Sequence, residues 1–249
     1  LLAVLAGADG FVDIANFGER KLALLRRFRP FKNGTPSHDQ LGDIFAVLDP
    51  EQFQKAFIAW VTALSGAPAE AIAIDGKTSR RSHRKKGETQ PLHTVSAFAA
   101  RQRVVLGQMN VADKSNEIVA IPKLLEMMAL EGAVVTIDAM GCQKNIAATI
   151  VAKKADYVLA LKGNQGTLRA DVDAFAAEQM ANGFAHVIAT QHVETDGDHG
   201  RIDRRKTTVL HDLQWLRDRH HWPSLTAVVI VESVREGPAG TETETRFYI

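Results

Sequence analysis

A single cysteine, Cys142, in 249 residues excludes an internal disulfide, so this chain is not stapled in the manner of small secreted domains. A reducing cytosol is the expected compartment. No excess of one charge is present either: 30 Lys and Arg against 29 Asp and Glu leave a formal net charge of +1. That balance excludes a wholly basic nucleic-acid coat, and any nucleic-acid surface has to come from local clustering. Long apolar runs are also missing. The segment Leu1 to Gly7 is too short to span a membrane and lacks the basic start and cleavage site of a signal peptide, so neither a membrane nor export is expected. There is no internal repeat, low-complexity tract or heptad run. His38, His83, His93 and the His220-His221 pair show no spacing to Cys or Glu partners that would build a zinc site.

What is present is a chain long enough to bury a real core, with an ordinary 45% hydrophobic and 24% charged content. Up to residue 66 the apolar residues recur three and four apart, as in Phe53, Phe57, Trp60, Val61 and Leu64, which predicts a small helical module over 1–66. Ser37 is expected to cap one of its helices, and Asp49-Pro50-Glu51 to open the last. The run Ser65-Gly66-Ala67-Pro68 marks a boundary.

Between 67 and 184, short apolar runs alternate with amphipathic ones. Strands are expected over Ala71 to Ile74, Thr94 to Ala99, Val104 to Val111, Val134 to Ile137 and Tyr157 to Leu161. Helices are expected over Ile118 to Leu130, Gln143 to Lys153 and Thr167 to Met180. The order strand, strand, strand, helix, strand, helix, strand, helix predicts an α/β fold with a mixed sheet, the order of a ribonuclease-H-like core. From 185 to 249 helical periodicity fades, and β-like runs such as Val187 to Val193, Lys206 to Leu210, Thr226 to Val231 and Thr245 to Ile249 predict a β-rich segment. The chain starts without Met and stops in an apolar run, so it is expected to be a fragment.

Two acids occupy equivalent places, each directly after an apolar strand: Ile72-Ala73-Ile74-Asp75-Gly76 and Val134-Val135-Thr136-Ile137-Asp138. Carboxylates presented together at strand ends repel, and a hard divalent cation relieves the repulsion. Paired ions can activate a water or hydroxyl and stabilise a leaving oxygen, which points to phosphodiester cleavage. Asp is also common where strands simply end in turns. Lys77, Arg80, Arg81, Arg84, Lys85 and Lys86 put six positive charges into ten residues after the first acid, either a DNA-backbone contact or a solvated loop. Lys162 and Asn164 follow a strand expected beside that of the second acid. They either touch phosphate or form a helix-start turn with Gly163 supplying backbone freedom and Asn164 a cap. Cys142 reads as a small buried residue rather than a nucleophile.

Five ordered segments carry a resemblance covering nearly the whole chain: Gly34-Thr35-Pro36-Ser37-His38-Asp39, Ala73-Ile74-Asp75-Gly76-Lys77-Thr78-Ser79-Arg80, Thr136-Ile137-Asp138-Ala139-Met140-Gly141-Cys142-Gln143, Leu161-Lys162-Gly163-Asn164-Gln165 and His199-Gly200-Arg201-Ile202. They resemble the bacterial insertion-sequence DDE transposases of the ISAs type, the H-repeat-associated proteins. The resemblance implies a ribonuclease-H-like core that uses two Asp and one Glu, with two Mg²⁺ or Mn²⁺ ions, to cut and rejoin DNA at element ends. It makes Asp75 the first acid and Asp138 the second, and the segment over 185–249 a β-rich insertion that has not yet returned to the core.

The family's Glu sits in an Arg-x-His-Trp-x-Ile-Glu-Asn helix, and no such run occurs before Ile249, so the third acid is expected beyond this chain. Glu194 and Asp203, flanking the His199-Gly200-Arg201 turn, are weaker in-chain alternatives for which a surface ion pair is the competing reading. The resemblance further implies DNA partners, both element ends and target, a homo-oligomer when the chain is complete, and a cytoplasmic, nucleoid-associated place. Two other readings stand beside it: a DNA-binding remnant without catalysis, and another ribonuclease-H-like nuclease.

Overall fold

The computed structural model describes residues 1–65, 71–79, 91–111, 117–198, 201–211, 213–237 and 240–249. Two compact units emerge, Leu1–Gln54 and Lys55–Ile249.

The first unit is helical, as the apolar spacing predicts: α1 (Leu2–Leu5), α2 (Phe11–Arg20), α3 (Leu22–Leu25), α4 (His38–Val47) and the start of α5 (Pro50–Ser65). Ser37 caps α4 in a reciprocal box, its hydroxyl accepting from the Gln40 N–H while the Gln40 side chain accepts from the Ser37 N–H. Asp49 caps α5 by accepting from the N–H groups of Glu51 and Gln52, which leaves Pro50 where its missing N–H costs nothing. Phe11 of α2 packs on Phe45 of α4 with ring centroids 5.3 Å apart.

The second unit is α/β. Its described strands form one mixed nine-stranded sheet in the order β3-β2-β1-β4-β5-β9-β8-β7-β6. The strands are β1 (Ala71–Thr78), β2 (His93–Ala99), β3 (Val104–Val111), β4 (Val134–Ile137), β5 (Asp156–Leu161), β6 (Ala189–Asp198), β7 (Arg201–His211), β8 (Ala227–Gly237) and β9 (Gly240–Tyr248). β1 is parallel to β4 and β4 to β5, and every other neighbouring pair is antiparallel. The helices are α6 (Glu117–Glu126), α7 (Lys144–Ala152), α8 (Gly166–Ala181) and α9 (Gln214–His220). Strand alternation sends Ile72, Ile74, Val95, Ala97, Val135, Ile137, Leu159 and Leu161 into one buried cluster with Ile121, Leu124 and Leu125 of α6 and Ile146 and Ile150 of α7.

Four details differ from expectation. β1 does not stop at Ile74. Its parallel ladder with β4 ends there, but the antiparallel ladder with β2 runs on to Thr78↔His93, so Asp75 lies inside a strand. α6 ends at Glu126 rather than Leu130, because the Lys153 ammonium donates to the Glu126 and Met128 carbonyls that a longer helix would have used. A short helix, α9, stands where helical periodicity is weak, closed by His221 in the left-handed conformation at φ 47°.

The largest difference concerns the β-rich segment, which does return to the core. β9 pairs with β5 through Ala160↔Tyr248 and Leu161↔Phe247, Leu159 and Ile249 exchange backbone hydrogen bonds of 2.8 and 3.0 Å, and Phe247 and Ile249 are buried. A β-meander therefore continues the core sheet edge to edge. The alternation in Phe247-Tyr248-Ile249 carries the physical cause, two apolar residues facing inward on either side of a half-buried tyrosine.

Candidate active site

Register brings the two predicted acids together. Ile74 pairs with Ile137 in the last step of the parallel ladder, so Asp75 and Asp138 are the next residues on adjoining strands, whose spacing is about 4.8 Å. Both are exposed, and both follow a buried Ile that anchors the strand from its opposite face. Among the described residues neither carboxylate is in a salt bridge. Asp138 caps the 3-10 turn Ala139–Gly141, its Oδ1 accepting from the N–H of Met140 at 3.0 Å and of Gly141 at 3.4 Å. One oxygen is thereby fixed by backbone.

The turn after Asp138 is held from β5's end. Asn164 donates to the Ala139 carbonyl at 2.6 Å, and Gln165 donates to the Cys142 carbonyl at 2.9 Å and to Gln143 Oε1 at 3.3 Å. Asn164 makes no cap bond to its own helix. Its amide instead ties the Leu161–Gln165 segment to the Asp138 segment, a contact that neither sequence reading of Asn164 contained. Gly141 is needed there, since a Cβ would overlap the Ile137 side chain and press on Ile121. With Asn164→Ala and Gln165→Ala together, we expect about 2 kcal/mol of lost stability, roughly 1 for each bond, and faster amide hydrogen exchange at Met140 and Gly141. Unchanged exchange at those amides would contradict the clamp.

Asp138, Lys162 and residues of β9 line a groove of about 580 Å³ that also takes in Thr136, Val158, Ala160, Glu244, Arg246 and Tyr248. Lys162 is exposed at its rim. Lys77 is exposed on β1 two residues beyond Asp75 and, by alternation, on the same face of the strand. Arg80, Arg81, Arg84, Lys85 and Lys86 fall outside the described residues.

Glu194 and Asp203 do not join this site. They sit on β6 and β7, with Glu194 paired to Arg205 at 3.5 Å and Asp203 held between Arg201 at 2.8 Å and Arg235 at 2.9 Å, whose hydrogen bonds keep the Asp203 carboxyl below the usual carboxylate range. Among the described residues no three His, Cys, Asp or Glu side chains gather as a metal site. Cys142 is fully buried and desolvation pushes its thiol up to about 12, which disfavours the thiolate at neutral pH.

Sequence reading missed a buried polar pair directly under the first acid. His93 and Glu117, each 3% exposed, are joined Nε2 to Oε1 at 2.6 Å, and His93 Nδ1 lies 2.7 Å from the Thr78 hydroxyl. With the carboxylate accepting from Nε2–H, Nδ1 accepts from Thr78. The Glu117 carboxylate is packed against Gly76, where any Cβ would overlap it. The signal was Gly76 itself, a glycine in strand context that marks close approach of another group.

Known proteins resemble this chain over most of its length. The family model described as "Transposase DDE domain" matches residues 66–231 and the one described as "DDE_Tnp_1-associated" matches residues 1–61. The chain belongs to the DDE transposase family, among the insertion-sequence transposases. It is 41% identical over 254 residues to the "Uncharacterized protein in dhlA 3'region" of Xanthobacter autotrophicus, covering 100% of this chain and 83% of that one. Two proteins of Escherichia coli (strain K12) bear the name "H repeat-associated putative transposase". YhhI is 36% identical over 256 residues, covering 100% of this chain and 67% of its own, and YbfD is 40% identical over 207 residues, covering 82% and 80%. Among solved structures, the cryo-EM structure of the piggyBac transposase synaptic complex with hairpin DNA gives a TM-score of 0.36 at 9% identity, over 86% of this chain and 43% of that one.

Proposed function

We propose that this chain supplies two of the three carboxylates of a metal-dependent DNA-cutting site, Asp75 and Asp138, and that it serves cleavage and joining of DNA at the ends of an insertion sequence. The observation that carries the reading is the register: the parallel ladder ends at Ile74↔Ile137, so the two acids stand side by side on rigid strands. The donor set fits a hard cation, being all oxygen, exposed and without a competing salt bridge among the described residues. With Asp138 Oδ1 committed to backbone N–H groups, Oδ2 remains to coordinate.

Asp75 and Asp138 would hold Mg²⁺ or Mn²⁺, two ions in the complete site, which would supply activation of the attacking water or hydroxyl and charge stabilisation at the leaving oxygen. The residues of this chain do the rest. Asp75 and Asp138 hold position through their buried Ile neighbours, Asn164 and Gln165 fix the Asp138 turn, and Lys162 and Lys77 meet DNA backbone along with the basic residues from Arg80 to Lys86. Glu194 and Asp203 are engaged in ion pairs elsewhere, so neither is proposed as the third acid.

The order β3-β2-β1-β4-β5, with β1 to β3 antiparallel and β1, β4 and β5 parallel, supports a ribonuclease-H-like core over 67–184. The helical module over 1–66 and the β-rich part over 185–249 flank it. Element ends and target DNA are its partners, it works on paired ends as a homo-oligomer, and it acts at the nucleoid in the cytoplasm. Among the described residues no helix is long and apolar enough to cross a membrane.

The test is incubation of the full-length protein with a supercoiled plasmid carrying the element ends. Nicks that require Mg²⁺ or Mn²⁺ and vanish with EDTA support the reading. Salt-sensitive binding without metal-dependent nicks overturns it in favour of a DNA-binding protein.

A further inference from the structure

The groove beside Asp138 has a second wall, built by β9. The pairing Ala160↔Tyr248 sets which side each residue takes, and period-two alternation then puts Tyr248, Arg246 and Glu244 on the face that Ala160 and Lys162 present. Lys162 and Arg246 thus line one groove from two strands that are distant in sequence.

Arg246 meets Glu244 in a two-pronged pair, Nε to Oε1 at 2.8 Å and Nη2 to Oε2 at 2.7 Å. This is the geometry with which a guanidinium takes a carboxylate or a phosphate. Glu244 is held below the usual carboxylate range, first by the hydrogen bond from Arg246 and further by the charges of Arg246, Lys162 and Arg235, so the two groove cations act on the same carboxylate along with Arg235. The pair is exposed, each side chain at 56%, and an exposed ion pair is worth little in water and readily exchanged. Arg169, the other cation of the groove, is committed: it bonds Asp173 at 2.8 Å and the Leu161 carbonyl at 3.1 Å and lies over the Phe247 ring at 4.5 Å. Glu244 therefore fills the position an external anion of the same geometry would take.

We propose that Arg246 and Lys162 form a phosphodiester clamp on the DNA strand running past Asp138, and that Glu244 occupies this clamp as an internal anion until DNA displaces it. That the anion is DNA rests on the function proposed above. The clamp answers an electrostatic problem of that function: a backbone phosphate must approach two carboxylates, and cations from both walls of the groove offset the repulsion.

The test uses this chain in EDTA, so that metal plays no part, with a fluorescent mixed-sequence DNA duplex and anisotropy titrations between low and moderate salt. Arg246→Ala and Lys162→Ala are each expected to weaken binding about tenfold and to lower the salt slope by about one. Glu244→Gln is expected to tighten binding several-fold, a gain that misfolding cannot produce. Binding and slope unchanged in Arg246→Ala, or no tightening in Glu244→Gln, overturns the clamp. The two proposals fail separately. If Asp138→Asn leaves cleavage by the full-length protein intact, the active-site reading fails while the anisotropy result still stands. If the clamp variants bind like the parent while cleavage depends on Asp138, only the clamp fails.

Discussion

Glu117→Ala lowers the unfolding free energy of the chain by about 3–5 kcal/mol, read as a shift of the urea midpoint at unchanged slope. The magnitude follows from what is left behind. His93 is buried and donates to a carboxylate 2.6 Å away, and removing that carboxylate strands the imidazole N–H and opens a void against Gly76. Glu117→Gln keeps the volume and one acceptor oxygen, so its cost is smaller. Gly76→Ala attacks the same contact from the other side by forcing a methyl into the carboxylate, and it is expected to destabilise by about 1–3 kcal/mol. A loss below about 1 kcal/mol in Glu117→Ala would show that the buried pair does not hold the fold together.

Asp138→Asn gives the opposite pattern: cleavage by the full-length protein falls by at least roughly a thousandfold while the fold is unaffected. An Asn oxygen at this position can still accept from the Met140 and Gly141 N–H groups, because Asn caps as well as Asp does. The charge that would hold a hard cation is gone. Asp75→Asn is expected to do the same, and the double variant to cost little more than either single one, since both ligands serve one site. Comparable cleavage by either variant and the parent would remove the acids from the mechanism.

Much of this was legible because it is local. The strands at Val134–Ile137 and Val104–Val111 carry apolar periodicity, and Ser37 announces its helix three residues before Gln40 completes the box. Asp75 and Asp138 were legible as two acids that follow the same apolar pattern, although their places on neighbouring strands needed the register, and Asp75 proved to lie inside β1. What was not legible depends on partners remote in sequence. Nothing near Ile74 says that β1 runs on to Thr78, because His93 on another strand decides it. The return of β9 to β5 rests on burial of Phe247 and Ile249 against residues almost ninety positions earlier. Asn164 read as a phosphate contact or a helix cap, and only tertiary placement shows it tying down the Asp138 turn together with Gln165. Glu117 gave no signal of its own beyond the glycine it packs on.

Whether Asp75 and Asp138 together hold a divalent ion, as proposed, is read by Mn²⁺ titration followed through paramagnetic broadening of backbone amide signals. Broadening is expected to centre on Asp75, Gly76, Asp138 and Ala139 at millimolar Mn²⁺ and to be abolished at both strands by either Asp75→Asn or Asp138→Asn. Broadening centred instead on Glu194, Asp203 or the other acids of β6 to β8, or broadening at one strand that survives loss of the other acid, would contradict it.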